Sequence, residues 1–85
     1  MNDTTSNEAD IRLKRLRFRA GHRGFREADI VFGQFAERHL HALTPAQIDD
    51  FERLLEVPDQ EAYAWVIGQA DAPPGFDTDL LALMR

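Results

Sequence analysis

Apolar residues recur along this chain at intervals of three and four, and strand-like alternation is absent throughout. Leu13, Leu16 and Ala20 mark one face of a first helix spanning about Ala9 to Ala20, with Ile11 and Phe18 on a flanking face. Gly21 is placed to end it. After the connection Gly21-His22-Arg23-Gly24, the spacing predicts a second helix from about Arg26 to His41. Ala28, Val31, Phe32, Phe35, His39 and Ala42 fit its apolar stripe, widened by Ile30 and Leu40. Glu27 and Asp29 fall in its first turn, where carboxylates favour the positive end of the helix dipole.

The third helix has the clearest start. Thr44 is an N-cap, Pro45 takes the first helical position and Gln47 completes a capping box. Leu43 and Ile48 can form the hydrophobic staple, and Ile48, Phe51, Leu54 and Leu55 mark a buried face. Val57-Pro58-Asp59 breaks the pattern and restarts it as a short fourth helix carrying Ala62, Tyr63, Trp65 and Val66, closed near Gly68. Ala72-Pro73-Pro74-Gly75 reads as a connector. A last helix starts near Asp77, stapled by Phe76 and Leu81, with Leu80, Leu81 and Met84 turned inward. These elements predict an all-α protein: a flexible N-terminal tail over residues 1–8, then a single domain over residues 9–85 folded as a small five-helix antiparallel bundle.

Composition narrows the picture. With 85 residues there is room for one domain, and without cysteine there are no disulfides, thiol nucleophiles or thiolate metal sites. No apolar run reaches the ~18–20 residues of a membrane span. Met1 to Asp10 is polar and acidic, unlike a secretory or mitochondrial leader. A cytoplasmic protein without membrane insertion is expected. The net charge of −5 is unevenly distributed. Arg12, Lys14, Arg15, Arg17, Arg19, Arg23 and Arg26 cluster early, whereas twelve carboxylates lie between Glu27 and Asp79. A basic head thus precedes an acidic body, a layout that can orient encounters with a charged partner.

Catalytic parts are scarce. Glu37 and His41 are helix neighbours, but His39 and His41 point about 200° apart and cannot share a ligand face. No third ligand occurs at a recognisable spacing, so no metal site is expected; His39 reads as semi-buried and His41 as a surface residue. Ser6 lies in the expected tail, Thr44 is explained as a cap, and no phosphate-cradling glycine loop is present. Most aromatic residues fall on expected buried stripes; Phe25, in the turn before the second helix, is the candidate exposed anchor. The basic first helix raises nucleic acid as a partner, but overall negative charge and the lack of a stacking platform count against it. There remains His22-Arg23-Gly24-Phe25-Arg26-Glu27-Ala28-Asp29. Its glycine permits positive φ or close approach of another backbone, and Arg23 offers a planar fork for carboxylates. A local Arg23–Glu27 pair, worth only ~0.2–0.5 kcal/mol, is the competing explanation.

Arg23-Gly24-Phe25-Arg26-Glu27, followed by Asp29, resembles the Arg-Gly-x-x-Glu motif of the succinate dehydrogenase assembly factor family, the flavinator proteins of bacteria and mitochondria. The resemblance continues through Phe35-Ala36-Glu37-Arg38-His39-Leu40, Leu43-Thr44, Phe51-Glu52-Arg53-Leu54-Leu55, Pro58-Asp59, Tyr63 and Trp65, covering about residues 12 to 85 in one ungapped order. It implies a compact helical assembly factor, not itself an enzyme, that promotes covalent attachment of FAD to the flavoprotein subunit of succinate dehydrogenase and, in bacteria, of fumarate reductase. The bond implied joins a histidine of the flavoprotein to the 8α carbon of the flavin. Arg23, Gly24 and Glu27 carry over as the contact motif, Phe25 and Arg26 occupy its variable positions, and Asp29 completes the partner-binding set. The FAD then belongs to the partner, no cofactor is held tightly, and the free protein is expected to be a monomer. Two other readings stay open at this point: a small FAD-carrying protein, and a nucleic-acid or regulatory partner using the basic first helix.

Overall fold

A computed structural model of the protein describes residues 4–85, with side chains from residue 8 onward. Five α-helices follow one another: α1 (Thr4–Ala20), α2 (Arg26–His39), α3 (Pro45–Leu55), α4 (Asp59–Val66) and α5 (Asp79–Met84). Single 3₁₀ turns at Leu40–Ala42 and Pro74–Phe76 complete the elements, and no strand occurs among the described residues. The fold is a small all-α bundle. α1 packs on α2, α2 also meets α4, and α3 contacts α1, α4 and α5. No described helix is long and apolar enough to cross a membrane.

One core runs through all five helices. Leu16 and Ala20 of α1 meet Ala28, Phe32, Phe35 and Ala36 of α2, then Phe51, Leu54 and Leu55 of α3, Ala62, Trp65 and Val66 of α4, and Leu80 and Leu81 of α5. The apolar periodicity therefore marks most of this core, although Ile30 and Ala42, expected on the α2 stripe, are exposed. Thr44 caps α3 as its sequence requires: Oγ1 accepts from Gln47 N at 3.1 Å, and Gln47 Oε1 accepts from Thr44 N at 3.0 Å.

Several local expectations need correction. α1 begins at Thr4, so much of the expected tail is helical; Met1 to Asp3 lie outside the described residues. Apolar spacing could not reveal this, because Glu8, Ala9 and Asp10 are exposed and no Gly or Pro interrupts the stretch. α2 ends at His39 and tightens into the 3₁₀ turn, which buries Leu40. His39 is exposed rather than semi-buried, with its ring beside Phe35. Phe18 does not join a buried stripe: it is 63% exposed and lies flat on His22, ring centroids 4.0 Å apart. The proline connector contains the short 3₁₀ turn, whose Phe76 ring packs against Trp65. α5 starts at Asp79, two residues beyond Asp77, and Thr78 caps it by accepting from Leu81 N.

Candidate functional site

The turn between α1 and α2 carries the motif. Its first residue, Arg23, points inward. The side chain is only 4% exposed, and its guanidinium reaches the end of α3 and the start of α4. Nη1 donates to Leu55 O at 2.8 Å, and Nη2 donates to Val57 O and to Asp59 Oδ1, each at 2.8 Å. The planar fork suits this task, since three acceptors lie around one rigid group. Beneath it, the Phe32 ring faces the cation. Burial pulls the Arg23 guanidinium below its ordinary pKa and Arg19 adds to the fall, while Asp59 and Asp29 oppose it. The group nevertheless stays charged at neutral pH. Its Nε is buried and has no hydrogen-bond partner among the described residues.

The other motif residues divide between anchoring and display. Gly24 is exposed and does not adopt positive φ. Its missing side chain matters for close approach, although the approaching group is internal: a Cβ here would fall on Asp59 Oδ2. Phe25 is half-buried and meets Tyr63 of α4 edge-on at 5.1 Å, so it is a packing residue rather than an exposed anchor. Arg26 and Glu27, in the first turn of α2, are exposed to solvent. Asp29, in the same first turn, is half-buried and accepts the backbone N–H of Arg23 through Oδ1. The Arg23–Glu27 pair considered above does not form; Asp59 takes that place.

Of the six candidate residues, then, Arg23, Phe25 and Asp29 hold the turn, and Gly24, Arg26 and Glu27 face solvent. The sequence reading missed Asp59, which looked only like a helix start after Pro58. No local signal could have joined it to Arg23, because the two meet only when α4 folds back on the α1–α2 turn. Beside the turn, the exposed Phe18–His22 stack is fixed by a 2.7 Å contact between His22 Nδ1 and Phe18 O.

The basic head is largely folded back on the acidic body. Arg12 donates to Asp49 and Glu52 at 2.8 and 2.9 Å, and Arg19 donates to Glu56 at 3.0 Å. Lys14, Arg15 and Arg17 make no ion pair among the described residues and are exposed.

Comparison with known proteins places this geometry in a family. Residues 14–85 match the family described as flavinator of succinate dehydrogenase. A protein of Dictyostelium discoideum named succinate dehydrogenase assembly factor 2, mitochondrial, is 35% identical over 79 residues, which cover 93% of this chain and 56% of that protein. The FAD assembly factor SdhE of Acetobacter pasteurianus is 40% identical over 73 residues, covering 86% of this chain and 67% of its own length. A mitochondrial succinate dehydrogenase assembly factor 2 of Meyerozyma guilliermondii is 31% identical, with 95% and 63% covered. The chain thus spans between about half and two thirds of the length of these relatives. From α1 to its last residue, including the anchored turn, it belongs to the family of flavinators of succinate dehydrogenase.

Proposed function

We propose that this protein binds the flavoprotein subunit of succinate dehydrogenase and promotes covalent attachment of FAD to it, acting as an assembly factor and not as an enzyme. The observation that carries the reading is the family match over residues 14–85, which contains the whole motif turn. The names of its relatives, assembly factor and FAD assembly factor, support the same task. The exposed surface of the turn supports it chemically. Arg26 and Glu27 present opposite charges side by side on a rigidly held helix start, and the Phe18–His22 stack lies next to them in the chain. Such a surface can hold a flavoprotein in the conformation that brings flavin and acceptor side chain together. Proximity and orientation alone supply large accelerations, so the protein needs no nucleophile or general base of its own.

On this reading FAD is a substrate of the attachment reaction on the partner, and the assembly factor holds no cofactor tightly. The free protein acts as a monomer in the cytoplasm, and the flavoprotein of fumarate reductase is a second client. The test is co-expression with the succinate dehydrogenase flavoprotein, followed by in-gel flavin fluorescence under denaturing conditions. Covalent fluorescence should appear with the protein and fall to background without it. Equal fluorescence in both would reject the proposal. Calorimetric titration of the isolated protein should give no sub-micromolar dissociation constant for FAD; such a constant would favour a carrier role instead.

A further inference from the structure

The start of α2 has no cap of its own. Phe25 occupies the N-cap position and offers no side-chain oxygen, so no side-chain cap fixes the direction in which Arg26 and Glu27 leave the turn. Two tertiary ties and one local one do so instead. The Arg23 guanidinium binds the end of α3 and the start of α4, the Arg23 N–H binds Asp29, and the Phe25 ring packs on Tyr63 of α4. Asp59 is the acid in this arrangement, placed at the first residue of α4 beside the otherwise buried Arg23 cation. Its carboxylate runs past Gly24 in space that a single methyl group would occupy.

We propose that Asp59 is a positioning residue: with Arg23 it forms a latch that passes through the space left by Gly24 and sets the display of Arg26 and Glu27. The inference rests on the function proposed above only for what the displayed surface binds. It assigns the arginine and glycine of the motif a different job from the glutamate. Arg23 is too buried to offer its fork to a partner, and Gly24 is a glycine because Asp59 has to pass it. Glu27 is left as the contact.

The experiment is a double-mutant cycle on the full chain with Gly24→Ala, Asp59→Ala and both together, with Glu27→Ala as reference. Each variant is read at a temperature where circular dichroism shows it folded. The readouts are melting temperature, the backbone amide shifts of residues 26 and 27, and the flavoprotein concentration giving half-maximal covalent flavin. Either single substitution should move the amide shifts and raise that concentration about tenfold, corresponding to ~1.4 kcal/mol. The double variant should be no worse than Asp59→Ala alone, because the new methyl group then has room. Glu27→Ala should raise the same concentration without moving the melting temperature in step. If Gly24→Ala does as much harm without the Asp59 carboxylate as with it, Gly24 touches the partner directly and the latch is rejected. Unchanged amide shifts and flavinylation in Asp59→Ala would reject it as well. Asp59→Ser replaces Asp59→Ala should the latter fail to fold, with the same expected pattern. If the unaltered protein yields no covalent flavin, the proposed function fails, while the amide shifts and melting temperatures still decide the latch.

Discussion

The guanidinium carbon of Arg23 lies 5.0 Å from the centroid of the Phe32 ring, so the cation covers the face of a fully buried aromatic. Away from water this contact is worth up to ~2 kcal/mol beyond ordinary packing. Phe51 is equally buried and has no cation over it among the described residues, which makes it the natural control. Phe32→Leu should therefore destabilise the protein by ~0.5–2 kcal/mol more than Phe51→Leu in urea denaturation. Equal losses would mean that the ring contributes packing alone.

Arg23→Lys tests the fork itself. An ammonium on one flexible stem cannot serve Leu55 O, Val57 O and Asp59 in the same geometry. At least one buried acceptor loses its partner, at a cost of ~1–3 kcal/mol. Arg19→Ala breaks a bridge whose arginine is 40% exposed and should cost no more than ~1 kcal/mol. The ordering of the two melting temperatures checks the assignment; a larger drop for Arg19→Ala would contradict it.

Glu27→Ala should separate function from folding. The residue is exposed and lies in the first turn of α2, where its charge stabilises the helix by ~0.3–1 kcal/mol. The variant should remain folded and α-helical by circular dichroism. Covalent flavin on the co-expressed flavoprotein should nevertheless fall severalfold, and a folded variant supporting normal flavinylation would remove Glu27 from the contact surface.

Thr44→Ala should do the opposite. Losing the N-cap and its reciprocal bond with Gln47 costs ~1 kcal/mol, or about 4–8 °C in melting temperature for a domain of this size. Thr44 caps the start of α3, the opposite end from the one that Arg23 binds, so flavinylation measured well below the transition should match that of the unaltered protein. A selective loss of flavinylation would place α3 at the flavoprotein interface.

The two kinds of residue in the motif turn explain why its sequence alone was misleading. Arg23 and Phe25 looked like surface groups because they stand between two glycines and a charged helix start, outside any apolar stripe. Their burial comes from residues of α3 and α4, contacts that no local window contains. At Gly24 the sequence allows positive φ or the close approach of another backbone; the structure shows no positive φ there, and the group that approaches is the Asp59 side chain of the same chain. Consequently, flat stability across substitutions at Gly24, the outcome that partner contact alone would give, is not expected. Phe18 erred in the other direction: helical spacing placed it beside Ile11 on a flanking face, and both are left in solvent.

The helices and most of their inward faces follow from the order of residues alone. Periodicity every three or four residues, the Thr44–Gln47 cap and the glycine and proline breaks are local properties, and they act within a turn or two of the residues concerned. The family motif was equally visible, because a resemblance needs only the order of residues. The tertiary structure decided which charges remain available. Arg12 and Arg19 are bound by carboxylates of α3 and the segment just after it, and Arg23 by Asp59, while Arg26 and Glu27 stay in solvent. The physical reason is that charge pairing depends on distance through space, and the pairs that matter here join residues far apart in the sequence. Until α3 and α4 pack against the α1–α2 turn, Arg23 is one cation among seven in the basic head.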